Sequence, residues 1–132
     1  MAVTEVSGGG IRCAYTSLIT DYSSTISTTA SLISLSTPGG IKIQHLGYYG
    51  VSTTNMNWLL TSPEDPDSSV SAGPGIPSTC ANLGGYTNIQ VGQSTMFLTN
   101  TSSQLRARCD NSTGTGTITI ITAGWIDFRA SS

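Results

Sequence analysis

The chain is expected to be all-β, a single jelly-roll-like β-sandwich of about eight antiparallel strands, and three observations predict this. Serine and threonine supply 40 of its 132 residues, whereas Asp, Glu, Lys and Arg together supply 12. Threonine's branched β-carbon favours extended backbone and suits a half-buried pleated surface. Short alternating apolar runs are separated by Gly, Pro, Asn and Ser clusters, and no run carries a long helical period. Strands recurring at this spacing pack as two sheets, and eight of them suit a jelly roll.

The elements follow in chain order. Residues 1–10 end in Ser7-Gly8-Gly9-Gly10 and are expected to be a flexible amino-terminal arm ahead of a sandwich domain spanning 11–132. Residues 11–20 read as the first strand. Residues 25–36 form a second run whose register is open: either Ala30, Leu32 and Ser34 or Ile33 and Leu35 face inward. Pro38-Gly39-Gly40 makes a turn. In 41–49, Ile41 and Ile43 are expected inside, with Lys42 and Gln44 outside. In 53–61, Met56 and Trp58 oppose Asn55 and Asn57.

Residues 62–85 carry four of the five prolines and read as one long loop. The last third resumes short strands at 86–91, 94–100, 103–109, 115–122 and 124–129. Leu105, Ala107 and Cys109 share one face, opposite Arg106 and Arg108. Ile118 and Ile120 point inward, and a bulge near Ala123-Gly124 is expected to return Ile126 and Phe128 to the core.

Charge narrows the function. The net charge is −2, with a single lysine, Lys42, and mostly dispersed arginines. Nucleic-acid binding wants clustered Lys and Arg, and a charge-driven membrane contact wants the same. Residues 1–7 lack the basic and apolar regions of a secretory signal, and no stretch is long and apolar enough to span a bilayer. These features lead us to expect a protein made and kept in a cytoplasm. Cys13, Cys80 and Cys109 are odd in number and lack metal-site spacing, so buried thiols are expected, with one disulfide the alternative. Asn100-Thr101-Ser102 and Asn111-Ser112-Thr113 match the glycosylation pattern, a match expected by chance in so Ser/Thr-rich a chain.

Candidate chemistry is sparse. His45 is the only histidine, and its neighbours place it in a strand, so a structural or surface role is expected. Glu64, Asp65 and Asp67 form the only acidic cluster; it is a candidate for calcium, with a solvated turn as the default. No catalytic residue and no cofactor is expected. Gly8-Gly9-Gly10 and Gly114-x-Gly116 lack the Lys and Ser/Thr of a phosphate loop. Among the aromatics, Trp58 and Phe128 are expected in the core. Tyr48, Tyr49 and Trp125 are the candidates for a partner or subunit contact.

The carboxy-terminal part carries a resemblance. It reads Val91-Gly92-Gln93-Ser94, an apolar strand, then Ser103-Gln104-Leu105-Arg106-Ala107-Arg108-Cys109-Asp110. Gly116-Thr117-Ile118-Thr119-Ile120 and Gly124-Trp125-Ile126-Asp127-Phe128 close it. This order of a Gly-Gln step, an Ala-Arg strand and a terminal hairpin resembles small β-sandwich structural proteins of tailed bacteriophages, over about the last 45 residues. The resemblance implies a non-enzymatic virion subunit of the capsid-decoration (cement) or tail-associated kind. It would be assembled in the host cytoplasm as a homo-oligomer, a trimer, bound to a major capsid or tail protein. The alternative is a carbohydrate-binding module or receptor-binding tip.

Overall fold

The computed structural model describes residues 1–5, 10–25, 27–54, 58–65, 81–83, 89–109 and 115–129. They form nine strands: β1 (Ala2–Glu5), β2 (Ile11–Ser24), β3 (Ser31–Ser34), β4 (Gln44–Thr54), β5 (Trp58–Thr61), β6 (Ala81–Leu83), β7 (Ile89–Leu98), β8 (Gln104–Cys109) and β9 (Thr115–Asp127). There is no α-helix among the described residues.

The pairing is nested. β2 pairs with β9, β3 with β8, β4 with β7 and β5 with β6, all antiparallel. The eight strands are therefore one long hairpin of four strand pairs. Two further pairings, β4 with β9 and β5 with β8, close that ribbon on itself. The result is a five-stranded sheet, β1-β2-β9-β4-β7, facing a four-stranded sheet, β3-β8-β5-β6. This is the jelly-roll sandwich that the strand spacing predicts.

The core lies between the sheets. Ile33, Leu60, Leu105 and Ala107 come from the smaller sheet, and Tyr49, Phe97, Ile118 and Ile120 from the larger. Fully burying each large apolar side chain among them contributes about 1.5–3 kcal/mol. β8 alternates as expected, with Leu105, Ala107 and Cys109 buried. The open register of β3 is settled in favour of Ile33 and Leu35, which leaves Leu32 exposed.

Several expectations are corrected. The amino-terminal arm is not a free arm: Ala2–Glu5 form the edge strand β1 against Ile11–Ala14. Gly10 is buried, and a β-carbon there would lie 2.6 Å from the Phe128 ring and 2.9 Å from Ile126. Space, not freedom, is what this glycine supplies. The 62–85 loop is interrupted by β6, and residues 66–80 and 84–85 lie outside the described residues. The run 53–61 splits between the end of β4 and β5; Met56 and the Trp58 side chain lie outside the described residues. The runs 86–91 and 94–100 merge into β7, and 115–122 and 124–129 merge into β9.

The bulge near Ala123 exists, and Ile126 is buried as expected, but Phe128 is exposed and Trp125 is buried instead. On β4, Leu46 pairs with Gly124 and the next residue, Gly47, pairs with Thr122, so Ala123 is the extra residue. One inserted residue flips the alternation. Trp125, paired with His45, therefore turns inward; Ile126 takes the opposite side of the sheet but is also only 8 % exposed, against Gly10, while Phe128 is exposed.

Candidate functional site

The inner face of the larger sheet carries a buried polar chain. His45 is 0 % exposed. Its Nδ1 lies 2.5 Å from the Tyr49 hydroxyl and its Nε2 lies 2.7 Å from Thr122 Oγ1. Thr122 Oγ1 in turn donates to Asp21 Oδ2. Asp21 also accepts from the Ser36 backbone N–H at 2.8 Å and from Ser36 Oγ at 2.5 Å.

The carboxylate end sets every proton in this chain. A carboxylate only accepts, so Thr122 donates to it and must accept from His45 Nε2–H. Nδ1 is then the lone-pair nitrogen that accepts from Tyr49. Burial pulls the His45 pKa down to about 4, against an opposing pull from Asp21, so the ring stays neutral and can fill both roles. Burial likewise pushes the Tyr49 phenol well above its ordinary value, so it keeps the proton it donates.

Local irregularities build the chain. β2 carries one extra residue, Asp21, between Thr20 and Tyr22 as they pair with β9. The bulge lets Asp21 and Tyr22 face the interior in succession, so that a carboxylate enters beside a side chain packed on the core. Gly47 stands between His45 and Tyr49 on the same face. A β-carbon there would meet His45 Cε1 and the Ile121 carbonyl far inside contact distance. The imidazole occupies the room that Gly47 leaves. A general base must reach a substrate's proton, whereas the groups hydrogen-bonded to the His45 ring are Tyr49 and Thr122.

The three aromatic contact candidates part company. Tyr49 is 1 % exposed, inside the core, edge-on to Phe97 at 5.3 Å. Trp125 is 8 % exposed and edge-on to Tyr15 at 5.5 Å, sent inward by the Ala123 bulge. Both are corrected from surface contact to core. Tyr48 is 50 % exposed and stands on the outer face of the larger sheet.

The cross-strand register places Tyr48 beside Ile121 and sets Leu46 and Leu98 on the same outward face. Leu98 is exposed and Leu46 and Ile121 are half-buried. Thr20, Ser23 and Thr119 add hydroxyls, with Ser23 Oγ and Thr119 Oγ1 3.1 Å apart. Arg12 is the one charged residue at an outward register position of these strands among the described residues. Tyr48 was legible from the sequence, but Ile121 was not singled out. The signal was the adjacent pair Ile120-Ile121, of which a strand can bury only one on a given face.

The acidic cluster is held by side-chain cations. Glu64 pairs with Lys42 at 2.7 Å. The Asp65 carbonyl accepts from Arg106 at 2.9 Å, and Arg106 also donates to Thr61 Oγ1 and the Ser62 carbonyl. Asp67 lies outside the described residues. No three His, Cys, Asp or Glu side chains converge on a metal position among the described residues. Cys13 is a half-buried free thiol and Cys109 is in the core, while Cys80 lies outside the described residues. The Asn100 side chain is built into the β7–β8 connection, where its Oδ1 accepts from the Ser102 and Gln104 amides. Asn111 lies outside the described residues.

These connections tie one end of the sandwich into a crown. Leu35 N–H donates to the Ser103 carbonyl, Gly40 N–H to Thr101, and Ser62 Oγ to the Leu98 carbonyl. Compared with known protein families, with curated proteins and with solved structures, the chain matches none.

Proposed function

We propose that this chain is a non-enzymatic structural subunit of a bacteriophage virion, of the decoration or cement kind. It binds a shell formed by a major capsid or tail protein and reinforces that shell by surface complementarity, in association with further copies of itself. The observation that carries this reading is the nested strand pairing, an architecture that viral capsid domains share. A fold hosts many functions, so the surface must add to it. It does so through a nearly uncharged outer face with Tyr48, Leu98 and Ile121 presented on it, suited to burial rather than to steering a charged ligand.

Rebinding the purified protein to stripped particles tests this. Saturable, stoichiometric rebinding that changes little between about 50 and 500 mM salt is expected, because uncharged contacts are not screened. No rebinding, or loss of binding across that range, contradicts it.

A second reading rests on the exposed Tyr48 ring. Jelly rolls also serve as lectins, and an open aromatic can stack on a sugar face. Calcium-dependent glycan binding, seen on an array with and without chelator, would favour that reading.

A further inference from the structure

We propose that the outer face of the five-stranded sheet is a self-association surface, on which a second copy of this chain docks about a two-fold axis near Tyr48. The inference does not depend on where the protein works.

The face departs from the usual pattern. In an antiparallel sandwich the outward positions are ordinarily polar. Here β4 and β9 turn Leu46, Tyr48 and Ile121 outward, with Leu98 on the same face from β7. The outer face of the other sheet differs. There the outward Leu59 and Leu32 stand beside Arg108 and Arg106: Leu59 is only 3 % exposed, and the exposed Leu32 has a cationic residue as its cross-strand neighbour.

Chemistry selects a second copy as the occupant. A two-fold contact lays a face against itself, so a face rich in one charge would repel its own copy. This face carries one charge among the described residues, Arg12, on β2 next to the edge strand. Its described polar groups include the hydroxyls of Thr20, Ser23, Thr117 and Thr119 and the amide of Gln44, which likewise both donates and accepts. A hydroxyl both donates and accepts, so it can pair with its own copy as a carboxylate or an ammonium cannot.

Size agrees. β2, β9, β4 and β7 are 14, 13, 11 and 10 residues long. At strand spacings near 4.8 Å and a rise near 3.3 Å per residue, they span about 760 Å² in projection. A stable interface covers roughly 800 Å² on each partner. β4 lies between β9 and β7, which sets Tyr48 toward the middle of the face, where aromatic anchors contribute most. A face that covers itself about a two-fold axis makes a dimer, not a trimer, the unit.

Sedimentation equilibrium of the purified full chain, from about 1 to 100 µM, tests this directly. A monomer–dimer equilibrium is expected. Tyr48→Arg and Ile121→Lys should each weaken it at least about tenfold, while Tyr48→Phe should change it by less than about threefold. Circular dichroism checks that each variant keeps its strands, and Tyr48→Thr replaces the arginine variant if that one does not fold. A monomer throughout, a trimer mass, or a dimer that a folded Tyr48 variant leaves intact would overturn the proposal. A dimer that never joins a particle would keep this inference and remove the virion reading.

Discussion

The imidazole of His45 and the phenol of Tyr49 meet at 2.5 Å over Gly47, four residues apart on one strand face. On a strand, residues i and i+4 are separated by the side chain at i+2. Their contact exists because that side chain is missing.

Gly47→Ala should therefore be among the most damaging single substitutions. The new methyl would meet both the His45 ring and the Ile121 carbonyl of the neighbouring strand. Overpacking costs about 1–3 kcal/mol, and more where backbone is the obstacle. Urea unfolding should show a loss at or above that range. A loss below about 1 kcal/mol would contradict the packing described.

His45 gives stability a pH dependence. The unfolded ring takes a proton near its ordinary value of 6.5, whereas the folded ring resists until about 4. Between these values the unfolded state binds more protons, so stability rises with pH. The contribution is complete above about 6.5 and is lost as pH falls toward 4, by about 3 kcal/mol in all. His45→Gln should flatten the slope of unfolding free energy against pH in that window. An unchanged slope would assign the effect elsewhere.

Thr122→Val tests the chain at its middle link. It removes the acceptor for His45 Nε2–H and a donor to Asp21 with little change of shape. A buried group left unsatisfied costs about 1–3 kcal/mol. Ser36→Ala removes one hydroxyl donor and leaves the Ser36 N–H on Asp21. The valine variant should be the less stable of the two by about 1 kcal/mol or more in matched urea titrations. Equal losses would mean that the links do not act as one chain.

Ser103 should rank substitutions in an unusual order. It has a left-handed backbone, φ 59°, which glycine adopts without strain. Its Oγ donates to the Thr37 carbonyl at 3.0 Å. Glycine and alanine both lose that bond, but only alanine keeps the strain. Ser103→Gly should therefore be more stable than Ser103→Ala by about 1 kcal/mol. Thermal unfolding of the pair, with alanine higher, would contradict the assigned geometry.

Legibility in the sequence followed local regularity. β8 and the first half of β9 were readable because strict alternation over five or six residues has one interpretation. β1 and β6 were missed because four- and three-residue strands flanked by Gly or Pro carry no period. The Ala123 bulge was placed correctly, but parity after it depends on how many residues it inserts, and only pairing with β4 reveals that there is one. Trp125 was misplaced for that reason, and Tyr49 because adjacent tyrosines do not say which one is inside. The polar chain joins positions 21, 36, 45, 49 and 122, and no local pattern announces a set that only the roll brings together.

The central claim is that this rolled sandwich is a virion component acting through its faces. Quantitative mass spectrometry of intact, gradient-purified particles from the source of this chain tests it most directly. The chain is expected at tens to hundreds of copies per particle, resistant to a high-salt wash. Its recovery only in the soluble fraction, with none in the particles, would rule out a virion role.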